Sequence, residues 1–170
     1  MKKFSTTMLA RAGVIASLYV LLTFVTLSFA SGAVQFRPSE ALTLLPLFFF
    51  ESVPALFIGC IIANLISGCA VLDIIFGSII TLVSAVLTWL IGKALKKAWL
   101  KIAIGGVFPV LLNALFLPLI WYYCYGELEF LYLWQALFLV VSQSISVYVL
   151  GVPLYFSVNK LINTHPELFK

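Results

Sequence analysis

Apolar runs about as long as a bilayer crossing follow one another along this chain, parted only by short polar stretches. A helix needs roughly 20 apolar residues to cross the hydrocarbon core, and a water-soluble domain has no use for so many. Charged residues make up 9% of the sequence and hydrophobic ones 64%, with a mean hydropathy of +1.18; soluble domains carry about 25% charged residues. A chain of 170 residues cannot hide that much apolar surface from water, so lipid has to cover it. The expected fold is an all-α integral membrane protein, a single transmembrane domain of six helices with little outside the bilayer.

The apolar runs place the spans at about 8–30, 38–50, 53–71, 73–95, 102–125 and 130–158. Lys2 and Lys3 ahead of an apolar run imitate a signal peptide. That run is longer than the usual core of about 7–15 residues and lacks a clear small-residue cleavage pattern, so it reads as a retained helix. The second span is the difficult one, because ten apolar residues rise only about 15 Å as an α-helix. Charge placement bears on it. Basic residues favour the cytoplasmic side, which puts Lys2, Lys3, Arg11 and the cluster Lys93, Lys96, Lys97 and Lys101 inside. The segment between the first and fourth spans then starts and finishes outside, as a full hairpin or, alternatively, a re-entrant one. The loop with Glu127 and Glu129 falls outside and Lys160 and Lys170 inside, so both termini are expected in the cytoplasm of a bacterial plasma membrane.

Several function classes are excluded by what is missing. The net charge of +4 comes from helix-end lysines and arginines, with no basic run beside exposed aromatics, so nucleic acid is not a partner. Cys60, Cys69 and Cys124 lack metal-ligand spacing, although Cys69 and Cys124 can both lie near the outer surface, where a disulfide is conceivable. His165 sits in a polar tail. No nucleophile–base grouping, HExxH or G-x-x-x-x-G-K-[ST] phosphate loop occurs, so no enzyme activity and no cofactor is expected. Nucleotide hydrolysis, if it drives this protein, belongs to another chain.

Polar residues gather at one depth, in the outer halves of the spans. They include Gln35, Arg37, Glu40, Asn64, Asp73, Asn113, Gln135 and Gln143, with Trp121 and Trp134 able to stack on a planar ligand. A charged group at mid-span costs about 2.5–3.5 kcal/mol on the insertion scale, and such residues usually face a cavity or a partner. Each has a plainer reading beside the functional one. Arg37 and Glu40 can pair with each other; Asp73 suits an N-cap; Trp121, Tyr122, Tyr123, Tyr125, Tyr132 and Trp134 suit an interfacial aromatic belt. Gly77, Thr81, Ser84 and Thr88 form a small, mildly polar stripe, as do Gln135, Ser142 and Ser146, and both suit helix packing as well as a pocket. Ala12 and Ala16, four apart beside Gly13 and Ser17, permit close helix contact within the bundle or with a partner.

A small six-helix membrane protein with Ala-x-x-x-Ala on its first helix resembles the substrate-binding component of energy-coupling-factor (ECF) vitamin transporters. QFRPSEALTLLP from Gln35, GCIIANLISG from Gly59 and LDIIFGS from Leu72 are similar to its QueT group, which is assigned to uptake of queuosine precursors; the resemblance covers nearly the whole chain. It implies capture of a small molecule at the outer face, then ATP-driven uptake with a transmembrane scaffold subunit and two ATPase subunits. Ala12 and Ala16 match the docking motif. A 7-deazaguanine offers an N–H and amino pair suited to Glu40 or Asp73, and a carbonyl suited to Asn64, Asn113, Gln135 or Gln143. An ECF component for another vitamin and an autonomous secondary transporter are the alternatives; the latter usually shows internal repeats, and none is visible.

Overall fold

The computed structural model describes residues 5–27, 36–126 and 131–169; Lys2, Lys3, Gln35, Glu127, Glu129 and Lys170 lie outside them. Among the described residues every regular element is helical. The helices are α1 (Thr6–Val25), α2 (Ser52–Ile66), α3 (Val71–Ala94), α4 (Ala98–Tyr125), α5 (Tyr132–Ser144) and α6 (Gly151–Thr164). A 3-10 segment, Pro38–Leu47, precedes α2, and a π-turn, Ile145–Leu150, joins α5 to α6. Four helices are long and apolar enough to cross a membrane: Thr6–Val25, Val71–Ala94, Ala98–Tyr125 and the continuous Tyr132–Thr164. Ser52–Ile66 is apolar but shorter.

The surface is inverted relative to a soluble protein. Val14, Leu21, Phe24, Ile75, Phe116 and Val149 are exposed, whereas Arg37, Glu40, Asn64, Asp73, Asn113 and Gln143 are buried. In water that distribution would be ruinous; in lipid it is the stable one, because apolar side chains lose nothing and polar ones find partners inside.

The second expected span is the 3-10 segment rather than an α-helix. Pro38 opens it and Pro46 lies within it, and every residue from Ser39 to Leu47 is buried. Runs of this kind beyond three or four residues are uncommon. Here α1, α3, α4, α6 and the π-turn all pack against the segment, so neighbours supply what its weaker hydrogen bonding does not. Non-helical backbone at membrane depth is tolerated only inside protein in this way. The tighter winding also narrows the shortfall in length: ten residues rise about 20 Å instead of about 15 Å, against a hydrocarbon core of roughly 30 Å. Three residues per turn put Leu42 and Leu45 in one apolar cluster, with Ile15, Tyr19 and Leu56, and Leu44 and Leu47 in another, with Val110, Val147 and Tyr155.

The segment turns at Phe48–Glu51 and returns as α2. Arg37, at its start, meets Asn64 near the end of α2, so the two arms are antiparallel. At the turn, Arg11 of α1 pairs with the buried Glu51 at 2.7 Å and lies over the Phe49 ring, 4.9 Å from its centroid. Glu51, a charged residue between two apolar runs, thus ties the hairpin to α1.

Close approach explains three glycines. A Cβ on Gly92 would meet the Leu47 carbonyl oxygen at 2.6 Å, one on Gly105 the Leu47 side chain at 2.9 Å, and one on Gly151 the Leu44 side chain at 2.9 Å. α3, α4 and α6 thus reach the 3-10 segment because they carry no side chain there. Prolines shape the longer helices. Pro109 cannot donate to the Gly105 carbonyl, and Thr88 Oγ1 donates to it instead at 2.9 Å. Pro153 likewise leaves the Val149 carbonyl without its helical donor, just where the helix widens into the π-turn.

Candidate functional site

Seven of the nine residues expected to meet a ligand line one cleft. Arg37 and Glu40 come from the 3-10 segment, Asn64 from α2, Asp73 from α3, Asn113 and Trp121 from α4, and Gln143 from α5. Cys60, Gly77, Thr81 and Leu117 complete the walls. The cleft lies at the end of the bundle opposite the Arg11–Glu51 pair, where the 3-10 segment begins and α2 ends.

Local structure accounts for each placement. Arg37 precedes Pro38 and is extended (φ −116°, ψ 97°), as a pre-proline residue prefers; its Nη1 donates to Asn64 Oδ1 at 3.1 Å. Glu40 falls in the first turn of the 3-10 segment, where a negative charge faces unpaired N–H groups. Its Oε1 accepts from the Tyr19 hydroxyl at 2.7 Å, and its carbonyl accepts from Thr43 Oγ1 at 2.6 Å. Arg37 and Glu40 therefore each have an anchor on another helix. Asn64 Nδ2 reaches Cys60 Sγ at 3.6 Å, and Thr81 Oγ1 lies 3.4 Å from the same sulfur. The three cysteines are free thiols, Cys69 and Cys124 among them.

Several readings change. Asp73 is not an N-cap: α3 begins at Val71 after Ala70, three residues earlier than that role requires, so Asp73 sits inside the first turn. There its carboxylate lies against the Trp121 indole and the Cys69 thiol. The aromatic belt divides. Tyr122, Tyr123, Tyr125 and Trp134 face outward, while Trp121 is buried and faces the cleft. Trp134, at 57% exposure, does not line this cleft, because α5 opens with that face turned outward. Gln135 is buried but is not among the cleft-lining residues, whereas Gln143, two helical turns on, is. The stripe on α3 divides by depth: Gly77 and Thr81 line the cleft, and Thr88 bonds α4. Cys60 and Tyr19 are not singled out by the sequence, since buried thiols and tyrosines occur in any helical core.

Chemically the cleft carries both kinds of hydrogen-bonding edge. Glu40 and Asp73 accept, Arg37 donates, and Asn64, Asn113 and Gln143 do either. Gln143 Oε1 is buried with no partner among the described residues, an arrangement that costs about 1–3 kcal/mol and suits a site awaiting a donor. The open room is about 10 Å³, enough for roughly one water. The cleft is contracted, and any larger guest has to part its walls.

Residues 9–160 match the family model described as QueT transporter. The chain belongs to the QueT transporter family. That family is one of transporters and not of enzymes, which agrees with the lack of a catalytic grouping, and it agrees with a multi-pass helical architecture. No curated protein and no solved structure matches the chain. The cleft residues all fall inside the matched QueT region, as do Ala12 and Ala16. Those two alanines are half-buried against the α1–α2 cluster, with Gly13 and Ser17 exposed beside them.

Proposed function

We propose that this QueT-family protein is the substrate-binding subunit of an ECF-type importer, and that its cleft captures a queuosine precursor, a 7-deazaguanine base. Membership of a transporter family supports the general role. The observation that carries the specific one is the gathering of two carboxylates, a guanidinium, three amides and an indole at one end of an otherwise apolar bundle. Glu40 or Asp73 takes the N–H and amino edge of the base, Asn64, Asn113 or Gln143 its carbonyl, and Trp121 its face.

Orientation follows from charge. Arg11, Lys93, Lys96, Lys97 and Lys101 sit at the end away from the cleft, and the positive-inside rule turns that end to the cytoplasm. The cleft then opens to the outside of a bacterial plasma membrane, and both termini are cytoplasmic. The hairpin of the 3-10 segment and α2 runs from the cleft to the Arg11–Glu51 pair and completes six crossings. A scaffold subunit docks along α1 at Ala12 and Ala16, where Gly13 leaves the helix surface open, and two ATPase subunits supply the energy.

Reconstitution into liposomes tests this. The chain alone should bind labelled base without accumulating it, and accumulation should require the scaffold, both ATPases and ATP. Accumulation by the chain alone, abolished by collapsing an ion gradient, would contradict the reading and establish an autonomous secondary transporter.

A further inference from the structure

We infer that Tyr19 is a positioning residue for ligand recognition, acting through Glu40 without lining the cleft itself. This rests on the proposed binding role of the cleft and adds a residue that neither the motif strings nor the family match singles out. Tyr19 is completely buried, and its hydroxyl donates to Glu40 Oε1 at 2.7 Å across the α1–3-10 interface. One turn further on, Thr23 Oγ1 donates to the Tyr19 carbonyl at 2.9 Å and accepts from the Ser39 hydroxyl at 2.8 Å. Two adjacent residues of the 3-10 segment are thus held by two residues one turn apart on α1.

The consequence is geometric. A glutamate has three rotatable bonds, and a carboxylate free to rotate presents no defined edge to a ligand. With Oε1 held by Tyr19, the remaining lone pairs, chiefly those of Oε2, are aimed by a fixed carboxylate plane. The tyrosine cannot easily move: Gly59 of α2 comes so close that an added Cβ would lie 3.1 Å from Tyr19 Cβ. A rigid second contact of this kind is what holds a recognition group to the tolerance a binding site needs.

The test is a double-mutant cycle on the full chain in detergent, with binding of 7-aminomethyl-7-deazaguanine measured by calorimetry. Tyr19→Phe keeps the ring and its packing, and its melting temperature should stay within a few degrees of the parent. Its Kd should rise at least tenfold. Glu40→Gln should weaken binding more, and adding Tyr19→Phe to it should change Kd by less than twofold, because the hydroxyl acts through the carboxylate. Glu40→Asp, which draws the carboxylate back from the phenol, should mimic Tyr19→Phe. A Tyr19→Phe affinity within twofold of the parent would overturn the inference and leave the functional reading standing, and so would independent, multiplying losses in the double variant. If the parent bound no deazaguanine, the functional reading would fail and this inference with it.

Discussion

Thr88 shows how much a single hydroxyl does at membrane depth. It supplies the hydrogen bond that Pro109 withholds from Gly105, so Thr88→Val, nearly the same in shape, should leave a buried carbonyl unpaired and cost about 1–3 kcal/mol, read as a lower melting temperature in detergent. Gly92→Ala forces a methyl against Leu47 backbone, which cannot swing aside as a side chain would. A loss of about 1–3 kcal/mol is expected from such overpacking, and thermal unfolding monitored by circular dichroism would measure it. Which residues were legible in the sequence follows from cost. Arg37, Glu40, Asn64, Asp73 and Asn113 stood out because a charged or amide group in a span has few inert explanations. Tyr19 and Cys60 did not, because their burial costs little and their types fit ordinary packing. Trp134 and Trp121 looked alike in sequence, and only the facing of α4 and α5 separates them.

The 3-10 segment is the element on which the bundle is built. Its largely apolar character was legible and its winding was not: ten residues with Pro38 at one end and Pro46 near the other fit several conformations, and the choice is made by the helices that close around it. Glycines on three of those helices mark where they do so, but a glycine in a span does not say which neighbour it admits. The hairpin is also secured at its turn. Removing one partner of the Arg11–Glu51 pair leaves a charge poorly compensated, so Glu51→Ala or Arg11→Ala should destabilise by about 2–4 kcal/mol, less than a fully buried pair because Arg11 is partly exposed. The paired variant Arg11→Met with Glu51→Met should recover much of that loss. Equal destabilisation by the single and double variants in chemical unfolding would show that the ions do not act as a pair.

Taken whole, the molecule is an apolar bundle with a polar cleft at one end and, at the other, Arg11 and the lysines around the α3–α4 connection. That polarity was legible from charge spacing alone, because lipid penalises misplaced charge more than any packing preference can offset. The contraction of the cleft to room for about one water was not, since it depends on how side chains settle against one another. A contracted cleft implies that ligand binding moves its walls, so saturating base should raise the melting temperature and slow hydrogen exchange in the first turns of α3 and the 3-10 segment. The central claim is tested most directly by calorimetric titration of the purified chain with 7-deazaguanine bases and, in parallel, with water-soluble vitamins. The account predicts saturable, one-to-one binding of a deazaguanine, lost on Glu40→Gln or Asp73→Asn, and no heat from the vitamins. Binding of a vitamin in preference to every deazaguanine, or binding indifferent to both carboxylates, would contradict it.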